Sequence, residues 1–401
     1  MADGQDVLAM ATPEDVGMSS SRLARLSDAT QGYVDRGEMA GASTLVARGG
    51  RIAHMGCFGL ADIERDDPIQ PDTLFRIASM TKPITSVAVM MLFEEGRVAL
   101  NAPIERYLPE LGGAQVLVQD DSSEGYHLEP ARRSMTTRHL LTHTSGYTYG
   151  DEDALRELYR QARIPGGFEN SDDTIEAAVQ RLGDTPLLFH PGEGWAYGGS
   201  TDVLGRLVEV ASGQALDVFF RERILHPLGM MDTHFFLSEA QIPRLAAVYS
   251  KADDGSLQRV ESDYPHNGPG KLFMGGAGLC STITDFARFA QMMLNGGRLG
   301  DARLLSRRTV ELIRDNHTAG LTTGHGEGYG FGLGFCVHTD AGHTGDIRPQ
   351  GAYFWGGYWH TTFWIDPVED LFAIKMAQVC PADHLDDHEA FPPLVYGAIE
   401  D

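Results

Sequence analysis

What most limits the fold is a change of period along the chain: strand-like segments stand at both ends and helical ones fill the middle. Behind a polar start at Ser19–Ser21, Arg22–Arg36 has the spacing of an amphipathic helix. Ala42–Arg48 and Arg51–Gly56, joined by Gly49-Gly50, read as two strands and a tight turn. Thr81–Glu95 is a long apolar helix with Pro83 in its first turn and Gly96 behind its end. Helices are predicted next at 136–142, 151–162, 173–181, 201–212, 216–224, 282–295 and 306–314, separated by polar loops such as Val118–Ser134. From Tyr329 strands return, at Tyr329–Val337, Gly351–Trp355, Thr361–Ile365 and Leu371–Met376, and a last helix follows Pro393. Strands from the two ends share one sheet only if the chain closes on itself. The expectation is an α/β (α+β) fold, an antiparallel sheet from both termini flanked by helices, with an inserted mainly helical domain. The boundaries fall at 1–78 with 326–401 for the discontinuous sheet domain and 79–325 for the helical domain, with an active site at their interface.

Charge narrows the partners. Fifty-six acidic residues stand against 32 basic ones, a formal net charge of −24. That field repels nucleic acid and anionic membrane surfaces. Cys57, Cys280, Cys336 and Cys380 lie far apart with no CxxC pair, which fits a reducing compartment and neither a disulfide framework nor a zinc site. The acidic start MADGQDVLAMATPEDVG is unlike a secretory leader, and no run of 18 apolar residues occurs. A cytoplasmic protein is expected, its oligomeric state left open. The glycine alternation from Gly324 to Gly334 lacks the GK[ST] ending of a phosphate loop and reads as a glycine-rich strand.

The chemistry begins at Ser79-Met80-Thr81-Lys82, at the mouth of the long apolar helix. Residues three apart share a helix face, so the Lys82 ammonium can reach the Ser79 hydroxyl. A serine hydroxyl is a poor nucleophile until a base takes its proton. Lysine is such a base only when neutral, which desolvation and the helix N-terminus both favour. The same helix start aims the Ser79 N–H at a developing oxyanion. Only four lysines stand among the basic residues, which gives Lys82 weight, although Ser-x-x-Lys alone is a common pattern. Tyr197, in the turn-rich His190–Ser200 segment, is a candidate general base if a cation stabilises its phenolate; alone it reads first as an ordinary half-buried tyrosine.

Taken together, Ser79-x-x-Lys82, the PGEGWAYGGS stretch and Arg138–Gly146 (RHLLTHTSG) resemble the serine β-lactamase and penicillin-binding-protein superfamily. Class C β-lactamases and the family VIII carboxylesterases are the nearer resemblance, running from about Val16 to Val379 with further matches at Gly275–Leu279 and Phe354–Gly357. The resemblance implies a β-lactamase-like fold, Ser79 as acylated nucleophile, Lys82 as its proton-transfer partner and Tyr197 as general base and acid. It leaves open which of Lys82 and Tyr197 takes the first proton. Two departures stand out. Tyr197-Gly198-Gly199 replaces the Tyr-x-Asn of lactamases, and Trp355-Gly356-Gly357 replaces Lys-Thr-Gly, as in the esterases. The latter removes a lysine that would pair with a substrate carboxylate, and its glycines let substrate approach the strand. Tyr358 N–H is then the second oxyanion donor.

His343-Thr344-Gly345 is a rival third motif, but Trp355 lies nearer the following strand. Tyr149 and Asp202 are candidate substrate-binding residues of the cleft, Asp202 either orienting the site or capping the next helix. His139 and His143 read as structural. His384 and His388 have metal-ligand spacing without an HExxH pattern or third ligand, so no metal and no cofactor are expected. No G-x-S-x-G elbow occurs. The reading is a serine carboxylesterase taking small-molecule, short-chain acyl esters. Acyl transfer, weak β-lactam or amide hydrolysis with Arg348 as the carboxylate-binding cation, and a non-catalytic binding protein are the alternatives.

Overall fold

A computed structural model describes residues 8–120, 125–150, 153–166, 172–261 and 270–401. The acidic start over residues 1–7, residues 121–124 of the expected loop and residues 151–152 of an expected helix lie outside these. The chain ends do build one sheet. Strands β1 (Gly41–Arg48), β2 (Arg51–Asp62) and β3 (Asp67–Pro68) come from the first part of the chain. β4 (Tyr329–Phe331), β5 (Cys336–His338), β6 (Tyr353–Gly357), β7 (Thr361–Asp366) and β8 (Leu371–Ala377) come from the last. Their order is β4-β5-β6-β7-β8-β1-β2-β3, and the two ends join where β1 runs antiparallel to β8.

Both faces of the sheet are covered. Side chains alternate along β7, so Phe363 points to one face and meets Phe286 of helix α4 (Ile283–Leu294), at 4.8 Å between ring centroids. Trp364 points to the other and meets Phe391 of helix α5 (Asp387–Tyr396), at 4.9 Å. Helix α1 (Ser20–Asp35) packs beside α5 and against β2. Helix α2 (Thr81–Glu94) is apolar nearly all round and buried from Thr81 to Leu92, against helix α3 (Ser200–Ser212). It is the rod on which the site is mounted.

Three expectations need correction. The loop at Val118–Ser134 carries a hairpin, Gln115–Gln119 paired with Tyr126–Pro130. Its outer strand is largely exposed, so no clear alternation marks it in the sequence. The glycine-rich strand is two short strands, because the chain turns at Gly332–Gly334 where a Cβ on Gly332 would strike the Ile313 carbonyl. The last helix starts at Asp387 and contains Pro392 and Pro393. Pro392 lies in its second turn and is buried with Phe391 against the sheet. The other helices stand where periodicity places them, within a few residues.

Candidate active site

Ser79 does not sit inside α2. It occupies a one-turn 3-10 segment, Ala78–Met80, that feeds directly into the helix. Ala78, buried, has φ +44°, a conformation that non-glycine residues rarely adopt and that tightly determined surroundings must hold. The tight turn presents the Ser79 hydroxyl to the cleft and leaves Lys82 one turn further on, wholly buried.

Lys82 Nζ donates to three acceptors: Ser79 Oγ at 3.2 Å, the Tyr149 hydroxyl at 2.9 Å and the Gly276 carbonyl at 2.7 Å. Three is the donor number of an ammonium group. The Tyr197 hydroxyl lies 2.7 Å from Ser79 Oγ on another side, and the Tyr197 ring centroid is 4.6 Å from Lys82 Nζ. Ser79, Lys82, Tyr197 and Tyr149 therefore form one polar cluster drawn from three distant segments. Trp195 and His143 pack on Tyr197, with the His143 ring centroid 5.0 Å away, and Phe331 backs both of them. Burial, and secondarily the Lys82 charge, push His143 well below the usual imidazole range, so it is a neutral packing group. His139 belongs to a capping box with Thr136, and burial lowers it to about 4.

The Gly275–Leu279 segment is stitched to α2. Thr85 donates to the Gly275 carbonyl at 2.6 Å, and the Leu279 N–H donates to Thr81 at 3.1 Å. Asp202 completes this layer. Its carboxylate accepts the Gly276 N–H at 2.8 Å, while the next carbonyl along holds Lys82. Burial raises its pKa, with the Lys82 charge and the Gly276 N–H opposing. Asp202 thus neither lines the main cleft nor caps a helix through its side chain, since α3 has no side-chain cap. Its partner Gly276, 74 residues away, is not readable from the sequence.

The opposite wall is β6. It pairs with β5 only at Tyr353 and Phe354, so Trp355-Gly356-Gly357 runs on past that strand to face Ser79. Gly357 packs against Ile77, two residues before Ser79, and a Cβ there would overlap the Ile77 carbonyl oxygen. Tyr358 opens the turn from β6 to β7, its side chain 58% exposed and at the cleft. The rival His343-Thr344-Gly345 lies instead in a short helix, where exposed His343 pairs with Glu327 at 3.0 Å. Ser79, Tyr149, Tyr197, Trp355, Gly356, Gly357 and Tyr358 all line one cleft of about 810 Å³.

His384 and His388 do not act together. His384 binds the Glu38 carbonyl at 3.0 Å, whereas His388 stacks on His360 at 3.9 Å between centroids. His360, Asp387 and His388 bring ligand-type atoms within 4.8 Å of one another. Lys375, buried and lowered by desolvation to about 7, pairs with Asp387 there, and His360 takes its other oxygen at 2.8 Å. Lys375 and His360 thus take both oxygens of the one carboxylate in this cluster.

A family model described as Beta-lactamase matches residues 26–390. The chain belongs to that family. Esterase EstB of Burkholderia gladioli is 33% identical over 375 residues, covering 89% of this chain and 91% of its own. Protein Rv1367c of Mycobacterium tuberculosis is 35% identical over 358 residues, covering 86% and 88%. Among solved structures, simvastatin synthase (LovD) of Aspergillus terreus superposes with a TM-score of 0.80 at 26% identity, over 94% of this chain and 98% of that one. The architecture described above is the beta-lactamase-like fold. Within this family, the two sequence departures now have positions: Gly199 starts α3 beside Tyr197, and Trp355-Gly356-Gly357 forms the β6 wall. No helix among the described residues is long and apolar enough to cross a membrane.

Proposed function

We propose that this beta-lactamase-family chain is a serine carboxylesterase acting on small-molecule esters. The observation that carries the reading is the pair of contacts on one hydroxyl: Tyr197 at 2.7 Å and Lys82 at 3.2 Å from Ser79 Oγ, at the cleft. Ser79 Oγ bonds to the ester carbonyl carbon while its proton passes to Tyr197. Lys82, which also holds the Tyr149 hydroxyl and the Gly276 carbonyl, fixes the Ser79 hydroxyl from the other side. The N–H groups of Ser79 and Tyr358 receive the oxyanion. Collapse breaks the carbonyl carbon bond to the alcohol oxygen, which leaves with the proton from Tyr197. Water then attacks the acyl-enzyme by the same route and frees Ser79. Trp355, Gly356, Gly357 and Tyr149 contact substrate; Asp202 holds the Gly276 segment behind Lys82.

The sheet segments 1–78 and 326–401 against the helical 79–325 remain our proposed division of the chain, and free thiols at all four cysteines support a reducing, cytoplasmic setting. The likeness to EstB supports hydrolysis. The likeness to LovD, with a cleft roomy enough for a second substrate, supports acyl transfer as the second reading. Hydrolysis of p-nitrophenyl butyrate decides, run beside Ser79→Ala and with nitrocefin in parallel. Turnover abolished in the variant, with little nitrocefin cleavage, is expected. Equal rates in both proteins would remove Ser79 from the mechanism.

A further inference from the structure

The cleft that Ser79 lines is also lined by Tyr329, Phe354, Trp364 and Phe391. Arg348 lies in this wall with its guanidinium carbon 4.0 Å from the Phe354 ring centroid. Among the described lining residues it is the one arginine or lysine. The Nε and Nη2 edge of its guanidinium is occupied. Nε donates to both oxygens of Asp346, at 2.8 and 3.1 Å, and Nη2 donates to Oδ2 as well. The Tyr329 hydroxyl donates to that same Oδ2 at 3.0 Å. The Arg348 and Asp346 side chains are only 13% and 9% exposed, so the pair is held in the wall rather than waving over it. Burial opposes the charge on Asp346, but the Arg348 bonds outweigh it and keep the carboxyl below its usual range. The two lining histidines are also uncharged at neutral pH. Burial lowers His325, and burial with His360 and Lys375 lowers His388 to about 2.

We infer, resting on the esterase reading, that this cleft selects esters whose larger group is uncharged and aromatic or polycyclic, and that Asp346 sets the selection by occupying Arg348. A carboxylate arriving at the wall must either displace Asp346 from a bidentate pair or bind at the remaining Nη1 side against the like charge of Asp346, which already offsets the guanidinium. Both are costly in a partly desolvated site, and the net charge of −24 adds long-range repulsion. A flat neutral group meets ring faces instead and loses no hydrogen bonds. At about 30 Å³ for each water in the liquid, 810 Å³ is the room of roughly 27 waters, far more than a butyrate ester needs.

The test uses two isosteric esters, 6-(acetoxymethyl)-2-naphthamide and 6-(acetoxymethyl)-2-naphthoate, with methyl acetate as the small reference. For the natural chain, kcat/KM for the amide-bearing ester is expected to exceed that for the carboxylate by about 10- to 100-fold, mostly through KM. The naphthyl ester is also expected to have a lower KM than methyl acetate. In Asp346→Asn, the freed guanidinium is expected to shrink the amide-to-carboxylate ratio by about tenfold or invert it. Equal kcat/KM for the two naphthyl esters overturns the proposal while leaving the esterase reading standing. A ratio unmoved in a folded Asp346→Asn protein overturns the role of that residue. Should this variant fail to fold, the comparison in the natural chain still decides on neutral selection. Turnover of none of the three esters overturns both readings together.

Discussion

The contact between β6 and the serine turn invites a substitution too small to remove any functional group. In Gly357→Ala the new methyl carbon would sit less than 2.5 Å from the Ile77 carbonyl oxygen and from Thr361 Oγ1. An ordinary contact needs about 3.5 Å, so strand and turn must part by roughly 1 Å. Ile77 immediately precedes the turn that carries Ser79, and Gly357 immediately precedes Tyr358. The displacement therefore falls on the distance between nucleophile and proposed oxyanion donor. A misplacement of about 1 Å costs on the order of 100-fold in rate, whereas overpacking at one site costs about 1–3 kcal/mol in stability. Hydrolysis of p-nitrophenyl butyrate should fall about 100-fold, chiefly in kcat, while thermal unfolding shows a folded protein. Gly356→Ala is the control. Its Cβ would meet only the Thr361 carbonyl, at 3.1 Å, so less than about tenfold is expected. A folded Gly357→Ala enzyme with the natural kcat would refute the argument that this strand and the serine turn jointly shape the reacting geometry.

Other expectations follow from the same contacts. Tyr197→Phe keeps the ring packing against His143 and Trp355 but removes the hydroxyl at 2.7 Å, and should cost about 10²- to 10⁴-fold in kcat at unchanged unfolding temperature. Acid should unfold the protein early. Burial lowers His54 and His139 to about 4 and His360 to about 3, against about 6.5 when unfolded. The unfolded chain therefore binds more protons between about pH 4 and 6.5, so stability rises with pH through this window and is lost on acidification. Asp285, raised by burial to about 6, opposes this from about pH 4 to 6. The net loss between pH 7 and 4, read by chemical denaturation, should be on the order of 5 kcal/mol. His54→Gln should flatten the profile, and an unchanged slope would exclude His54 as a contributor. Asp387→Asn removes the buried carboxylate that Lys375 and His360 share and should cost about 1–3 kcal/mol in the same assay at pH 7.

What was legible in the sequence is what local spacing controls. Ser79 and Lys82 are one turn apart, so their meeting follows from helix geometry alone. The choice of Trp355-Gly356-Gly357 over His343-Thr344-Gly345 rested on the distance to the next strand, and the β6–β7 pairing of Gly357 with Thr361 accounts for it. The contacts that finish the site are of another kind. Lys82 reaches the Gly276 carbonyl across 194 residues, and Asp202 reaches the Gly276 N–H across 74. A backbone carbonyl carries no residue signature, so nothing in the sequence announces it. The Lys375–Asp387–His360 cluster was hidden for a related reason: its members lie on β8, α5 and the β6–β7 turn, and only the packing of α5 on the sheet brings them together. The sequence places Arg348 as a cation near the third motif, but its pairing with Asp346 depends on side-chain direction, which spacing does not report.

The adjoining glycines of Tyr197-Gly198-Gly199 separate what the fold requires from what the chemistry requires. Gly198 is obligatory, since a Cβ there would overlap the Thr148 backbone. Gly199 is not. A Cβ there would find nothing nearer than 3.8 Å, and its φ of −67° suits any residue. It also stands at the N-cap of α3, a position where asparagine is among the preferred residues. Gly199→Asn should therefore fold with unchanged or slightly raised stability. It restores the amide of the lactamase Tyr-x-Asn pattern beside Tyr197, so nitrocefin cleavage should rise by up to about tenfold, the worth of one neutral hydrogen bond. The gain should stop there, because β6 still offers tryptophan where a lysine would meet the lactam carboxylate and Arg348 stays paired with Asp346. Combining Gly199→Asn with Asp346→Asn should then raise nitrocefin cleavage beyond either change alone. A double variant no better than Gly199→Asn would show that the missing cation is not what keeps this cleft from β-lactams.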